Sequence, residues 1–136
     1  MSAEREVLDA AAALVEAFGR HDATAYFAAF RPYATFLFHT HPEPLPSRSA
    51  YEALWRSWEA DGFRVLGCTS REQHVQLLGG AGEVAVFTHR VTTRVRPAAG
   101  EPEESLDERE TIVFVRDSDG AAGWHAVHEH LSPVPA

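Results

Sequence analysis

From Gly62 to its end the chain reads as strands and punctuation. Residues 63–68 open a long strand that continues through Gln73-His74-Val75-Gln76-Leu77-Leu78. The Gly79-Gly80-Ala81-Gly82 turn leads into a second strand over 83–95. A Pro- and Glu-rich hairpin loop at 96–104 precedes a third over 105–116. Asp117-Ser118-Asp119-Gly120 has turn composition, and a last strand spans 124–132. In Thr111-Ile112-Val113-Phe114-Val115 both parities are apolar, and so are both over 84–87. Such a sheet needs cover on each face.

Helices ahead of Gly62 supply one cover. Over residues 3–18, Val7, Leu8, Ala11, Leu14, Val15 and Phe18 fall on one helical stripe. Ser2 caps the start, Glu4 and Glu6 favour the first turn, and Gly19 ends the helix. Asp22 caps a second helix over 23–30, which Pro32 stops. A short β-like run, 34–39, breaks at His41-Pro42-Glu43-Pro44-Leu45-Pro46, where the prolines predict a loop outside any ladder. Ser49-Ala50-Tyr51-Glu52 has the capping-box pattern of a third helix, with Tyr51, Leu54, Trp55 and Trp58 as its stripe. The order predicts an α+β fold in which three helices pack on a curved antiparallel sheet. With 136 residues, this is one domain over 1–136. The second cover is expected to be another copy, giving a homodimer packed through the sheet.

The last strand, Trp124-His125-Ala126-Val127-His128-Glu129-His130-Leu131-Ser132, carries the polar chemistry. Strict alternation puts Trp124, Ala126, His128 and His130 on one face, and His125, Val127, Glu129 and Leu131 on the other. Either face sets titratable groups beside apolar ones, as at the polar end of a greasy cavity. A net charge of −8 argues against nucleic acid or an anionic membrane as partner. The single Cys68 excludes an internal disulfide and fits a reducing cytosol. No membrane-length apolar run or secretory pattern is present, so a cytoplasmic protein is expected.

The order of elements resembles the nuclear transport factor 2-like superfold, the cone shared by ketosteroid isomerases and SnoaL-type polyketide cyclases. It also resembles the association domain of calmodulin-dependent kinase II. The match is sharpest at Glu110-Thr111-Ile112-Val113-Phe114, the Asp-Gly turn, and Gly123-Trp124-x-x-Val127-His128-x-His130-x-Ser132. The steroid-isomerase pattern does not carry over. The first helix has no Tyr, Tyr26 being displaced to the second, and the strand facing it ends in His39 rather than Asp. The cyclases' strand His and Asp have only histidines and Glu129 as counterparts.

The resemblance to the kinase association domain implies that Arg90 points into the cavity, where its fork would anchor a ligand carboxylate or phosphate. Alternatively, Arg90 pairs with Glu110 or Glu129. Glu129 is either a general base with a raised pKa if desolvated, or the group that orients a His acting as base, or instead a structural partner of Arg90. His39 and His130 are candidate acids or bases, since imidazole titrates near neutrality. Tyr26, Trp55, Trp58 and His128 are candidate ligand contacts. His39-Thr40-His41 and His128-x-His130 have metal-pair spacing, but the resemblance implies neither metal nor cofactor, and none is expected. The expected function is binding a small apolar molecule with a polar or anionic handle. The alternatives are proton transfer (isomerisation, cyclisation or dehydration) and assembly through the sheet.

Overall fold

The computed structural model of the protein describes residues 2–117 and 123–136. Helix α1 spans Ala3–Gly19, with the Ser2 side chain accepting from the Arg5 N–H at 3.1 Å, and buries Val7, Ala11, Leu14 and Ala17. Gly19 serves close packing. A Cβ there would sit 3.1 Å from the Cys68 amide nitrogen. The left-handed residue after the helix is His21, at φ 58°. Its Nδ1 accepts from the Val65 N–H at 2.9 Å, and its Nε2 donates to Glu59 at 2.8 Å. One imidazole thus ties the helix end to two later elements.

Helix α2 is Ala23–Ala28, capped by Asp22, and is shorter than expected. Phe30 opens strand β1, Phe30–Phe38, so Pro32 lies inside a strand. It is tolerated there because β1 is an edge strand whose register shifts between Phe30 and Thr35. The proline-rich loop also departs from expectation. Leu45, between Pro44 and Pro46, keeps its own N–H and exchanges both backbone hydrogen bonds with Phe36, at 2.9 and 3.0 Å. Helix α3, Arg48–Ala60, is capped by Ser47 rather than Ser49. Gly62 follows at φ 96°, and a Cβ there would lie 2.3 Å from the Ala99 nitrogen. Ala99 in turn donates to the Asp61 carbonyl at 2.8 Å, which seats the long hairpin loop on the end of α3.

Strands β2 (Arg64–Leu78), β3 (Val84–Arg96), β4 (Glu104–Arg116) and β5 (Trp124–Pro133) complete a five-stranded sheet in the order β1-β5-β4-β3-β2. Four strands form the expected antiparallel meander. β1 instead pairs parallel with β5, so the sheet is mixed. The turn expected at Asp117-Ser118-Asp119-Gly120 lies, from Ser118 on, outside the described residues.

The helical face buries Ala85, Phe87, His89, Val91, Thr93 and Val95 from β3. From β4 it buries Glu108, Glu110, Ile112 and Phe114. Strict alternation fails in β5. The β4–β5 register shifts between Val113 and Phe114, so Phe114 faces Ala126 while Val113 faces His128. One extra residue reverses the parity. Trp124 and Ala126 are buried before the shift and Glu129 after it, whereas His130 is exposed.

Above this face sits an aromatic core. Trp55 packs within 5.1–6.4 Å, ring centre to ring centre, of His21, Phe27, Phe63, Tyr26, Phe18, Tyr51 and Trp58. It lies on the α3 stripe one turn from Tyr51 and Trp58. The stripe therefore reaches both the core and the space beside it.

Candidate functional site

Between the helices and the inner face of the sheet lies a cavity of about 270 Å³. Helix α1 contributes Leu14, Val15 and Phe18, and α3 contributes Tyr51 and Trp58. Val91 and Val95 of β3 and Leu106 of β4 close the apolar wall. The polar end is acidic: Glu108, Glu110 and Glu129 line it, with Glu104 also in the lining. Among the described residues, no Arg or His lines the cavity, and the sequence contains no Lys.

Glu110 and Glu129 are 6% and 2% exposed and form the centre of a buried hydrogen-bond chain. Tyr26 Oη donates to Glu129 Oε1 at 2.7 Å and so must accept from Tyr51 Oη, 2.9 Å away. On the other side, His89 Nε2 donates to Glu110 Oε1 at 2.7 Å. His89 Nδ1 accepts from Ser70 Oγ at 2.6 Å, and Gln73 Nε2 donates to that hydroxyl at 2.9 Å. Glu108 takes a separate bond, 2.5 Å, from His39 Nε2.

Burial sets the charge states. Desolvation pushes the Glu110 carboxyl up to about 7, and the nearby Glu108 charge adds to that. Glu129 is held well above the usual carboxylate range, by desolvation first and then by Glu110. The two carboxyls hydrogen-bond to each other, so they share protons as a pair. Desolvation lowers the His89 imidazole to about 4, which keeps it neutral and fixes the tautomer its partners require. Tyr26 and Tyr51 are raised by burial first and then by the Glu129 charge, and Cys68 by burial to about 11. All three stay protonated at neutral pH. The site therefore offers one titrating pair among neutral hydrogen-bonding groups.

The residues singled out from sequence separate into two places. Glu129, Tyr26 and Trp58 belong to the cavity or its hydrogen-bond chain, and Trp55 stands behind the wall in the core. His39 reaches the site through Glu108. Arg90 takes a partner that neither alternative named. Its Nη2 donates to Asp107 Oδ2 at 2.6 Å, with Arg71 on the same carboxylate at 2.9 Å. It alternates with buried His89 and Val91 and so lies on the opposite face, about one third exposed. The Arg90 hydrogen bond is the main cause of Asp107's fall to about 2. His128 also points to the outer face, its Nδ1 2.8 Å from Thr35 Oγ1 and its ring 6.3 Å from that of His130. His130 and His39 border a separate shallow depression beside His41 and Pro42. Among the described residues, no cluster of three or more potential ligands could hold a metal ion.

Sequence reasoning gave no site role to Glu108, His89, Ser70 and Tyr51, and read Glu110 only as a partner for Arg90. One signal was available. Setting the β3–β4 hairpin register from its loop places His89 directly opposite Glu110. An opposed His–Glu pair among Phe87, Ile112 and Phe114 marks a buried polar cluster.

Solved structures share this architecture at low sequence identity. A nuclear transport factor 2-like superfamily protein from Salmonella enterica matches with a TM-score of 0.77 at 15% identity, over 98% of this chain and 92% of that one. A ketosteroid isomerase-like protein from Erwinia carotovora atroseptica matches at 0.76 and 13%, over 98% and 97%. The CaMKII hub of S. rosetta matches at 0.74 and 22%, over 98% of each chain. No curated protein matches the chain in sequence. The model of the SnoaL-like domain matches residues 7–136, nearly the whole chain. The protein belongs to the SnoaL-like domain family and has the nuclear transport factor 2-like fold.

Proposed function

We propose that the protein binds a small, largely apolar molecule in its cone, the ligand's polar end meeting Glu110 and Glu129. The observation that carries this reading is the cavity itself: about 270 Å³, apolar on its walls, with a carboxyl pair at one end. Ligand sites combine such walls with a few convergent polar groups, and this volume falls just below the ~300 Å³ at which drug-sized pockets begin. One ring with a short side chain is the appropriate scale. Arg90 has no part in it, because its guanidinium is held by Asp107.

The test is a thermal-shift panel of single-ring compounds. A ligand at one hundred times its Kd stabilises by about 2.7 kcal/mol, on the order of 10 °C for a domain of this size. Val91→Phe fills the cavity from β3, so it should abolish the shift while the protein stays folded. Equal shifts in the variant and the native protein would place the ligand elsewhere.

Proton transfer is the second reading, favoured by a carboxyl titrating near 7, where an acid–base group works best. Glu129 and Glu110 would be acid and base. Glu129→Gln should then retain binding and lose turnover.

The outer face of the sheet supports self-association. Val84 and Val86 of β3 and Val113 and Val115 of β4 form a half-exposed apolar patch. Sedimentation should report a dimer for the native protein and a monomer for Val113→Arg. A native monomer at micromolar concentration rules this out.

A further inference from the structure

The cavity's polar end has a charge preference that its volume alone does not reveal. The carboxyls of Glu110 and Glu129 hydrogen-bond to each other, and each takes one further bond, from His89 and from Tyr26. Both side chains are more than nine-tenths buried and both line the cavity, so this acid pair is the polar group a ligand would meet. Around them stand the rings of Phe18, Phe38, Tyr51, Trp58 and Phe63. Aromatic faces attract a cation and repel an anion. A carboxylate or phosphate ligand would confront four glutamates with no Arg or His among the described lining residues.

From this arrangement we infer that the cavity selects a cation, an ammonium group carried on a small apolar or aromatic body, held between Glu110 and Glu129. The inference rests on the cavity-binding reading above. An ammonium nitrogen brings a positive charge, three donors and no acceptor, which suits a site whose polar end is lined by carboxyl groups. A hydroxyl brings one donor and no charge, so it leaves the pair holding its proton.

The arrangement also couples binding to a proton. An ammonium between the carboxyls removes the repulsion and part of the desolvation that keep them protonated, so its entry drives a proton out. The other titratable groups packed against the pair are Tyr26 from α2, Tyr51 from α3, Cys68 from β2, His89 from β3 and Glu108 from β4. The two phenols and the thiol are held protonated at neutral pH, and His89 is held neutral. Glu108 already accepts a bond from His39. The proton must come from the Glu110–Glu129 pair.

Calorimetry at pH 7 tests this with three probes of one shape: 2-phenylethylammonium, 2-phenylethanol and 3-phenylpropionate. The ammonium should bind at least about tenfold tighter than the alcohol, and the carboxylate weakest. Titration in buffers of low and high ionisation enthalpy should show net proton release with the ammonium and none with the alcohol. Glu129→Gln should erase the preference while keeping alcohol binding. If that variant does not fold, the native ranking and the proton count decide alone. Equal or tighter binding of the alcohol or the carboxylate overturns the inference but leaves the cavity reading intact. Failure of all three probes to bind overturns both.

Discussion

From pH 6.5 to pH 8.5 the folded protein is expected to lose stability, and Glu129→Gln is expected to remove most of that loss. An acid whose folded pKa lies above its unfolded value holds more protons in the native state than in the unfolded one. Stability therefore falls as pH rises between the two values. For Glu110 the window runs from the ordinary carboxylate value of 4.5 to about 7, and for Glu129 it extends higher. Each pKa unit corresponds to about 1.4 kcal/mol, so the Glu110 shift alone represents on the order of 3 kcal/mol at alkaline pH. His89 acts in the opposite direction. Its folded pKa of about 4 lies below the ordinary 6.5, so its contribution is complete above 6.5 and is lost as pH falls toward 4. His128, lowered by burial and by His130, adds to that loss. The two effects oppose each other between 4.5 and 6.5, which makes the acid side shallow and leaves the glutamates alone above it. Urea midpoints at half-unit pH steps measure the profile. A midpoint that rises from pH 6.5 to 8.5, or a Glu129→Gln curve as steep as the native one, contradicts this account of the pair.

This behaviour was only partly legible in the sequence, and the reason is local. Among the described residues, hydrophobic period and punctuation located the long helices α1 and α3 and strands β2 to β5. The boundary between short α2 and β1 was misplaced, because Pro32 sits in an edge strand rather than at a helix end. The orientation of β5 was not legible. A period-two reading assumes an unbroken ladder, and one extra residue between Ala126 and His128 turns Glu129 inward and His128 and His130 outward. The parities of β3 and β4 were ambiguous for a different reason: apolar residues occupy both faces of each strand. Phe114 and Ile112 face the helices while Val113 and Val115 face outward, so hydrophobicity alone does not say whether Asp107 and Arg109 or Glu108 and Glu110 are buried. Arg90 follows from the same ambiguity. Once β3 turns Phe87 and His89 inward, Arg90 can only face out, toward Asp107 on the neighbouring strand. Tyr51 was legible as a helix-stripe residue. Its hydroxyl's role depends on Tyr26 and Glu129, which are distant in the chain and give no local sign of meeting it.

Trp55→Ala is the other substitution expected to have a large effect, because the indole holds together elements that otherwise share few contacts. Its ring is 1% exposed and touches side chains from α1, α2 and α3 and the segments that follow α1 and α3. Deleting a buried Trp costs about 3–5 kcal/mol, and more where the site cannot collapse. Collapse is resisted here because the neighbours are themselves rings anchored on separate elements, so the upper part of that range is expected. Trp55→Phe separates ring packing from polarity. The indole Nε1 is buried with no hydrogen-bond partner among the described residues, and such an orphan donor costs about 1–3 kcal/mol. Phenylalanine leaves a smaller void and removes that penalty, so its net cost should be about 1 kcal/mol or less, the two terms nearly cancelling. Urea unfolding of both variants gives the comparison. A cost below about 1 kcal/mol for Trp55→Ala would mean the aromatic cluster is not what holds the three helices to one another. The pocket should respond in step, since Tyr51 and Trp58 flank Trp55 on α3, one tied to Tyr26 and the other lining the cavity wall. Loss of the indole therefore weakens the fold and loosens the site through the same helix, whereas Trp55→Phe should preserve both.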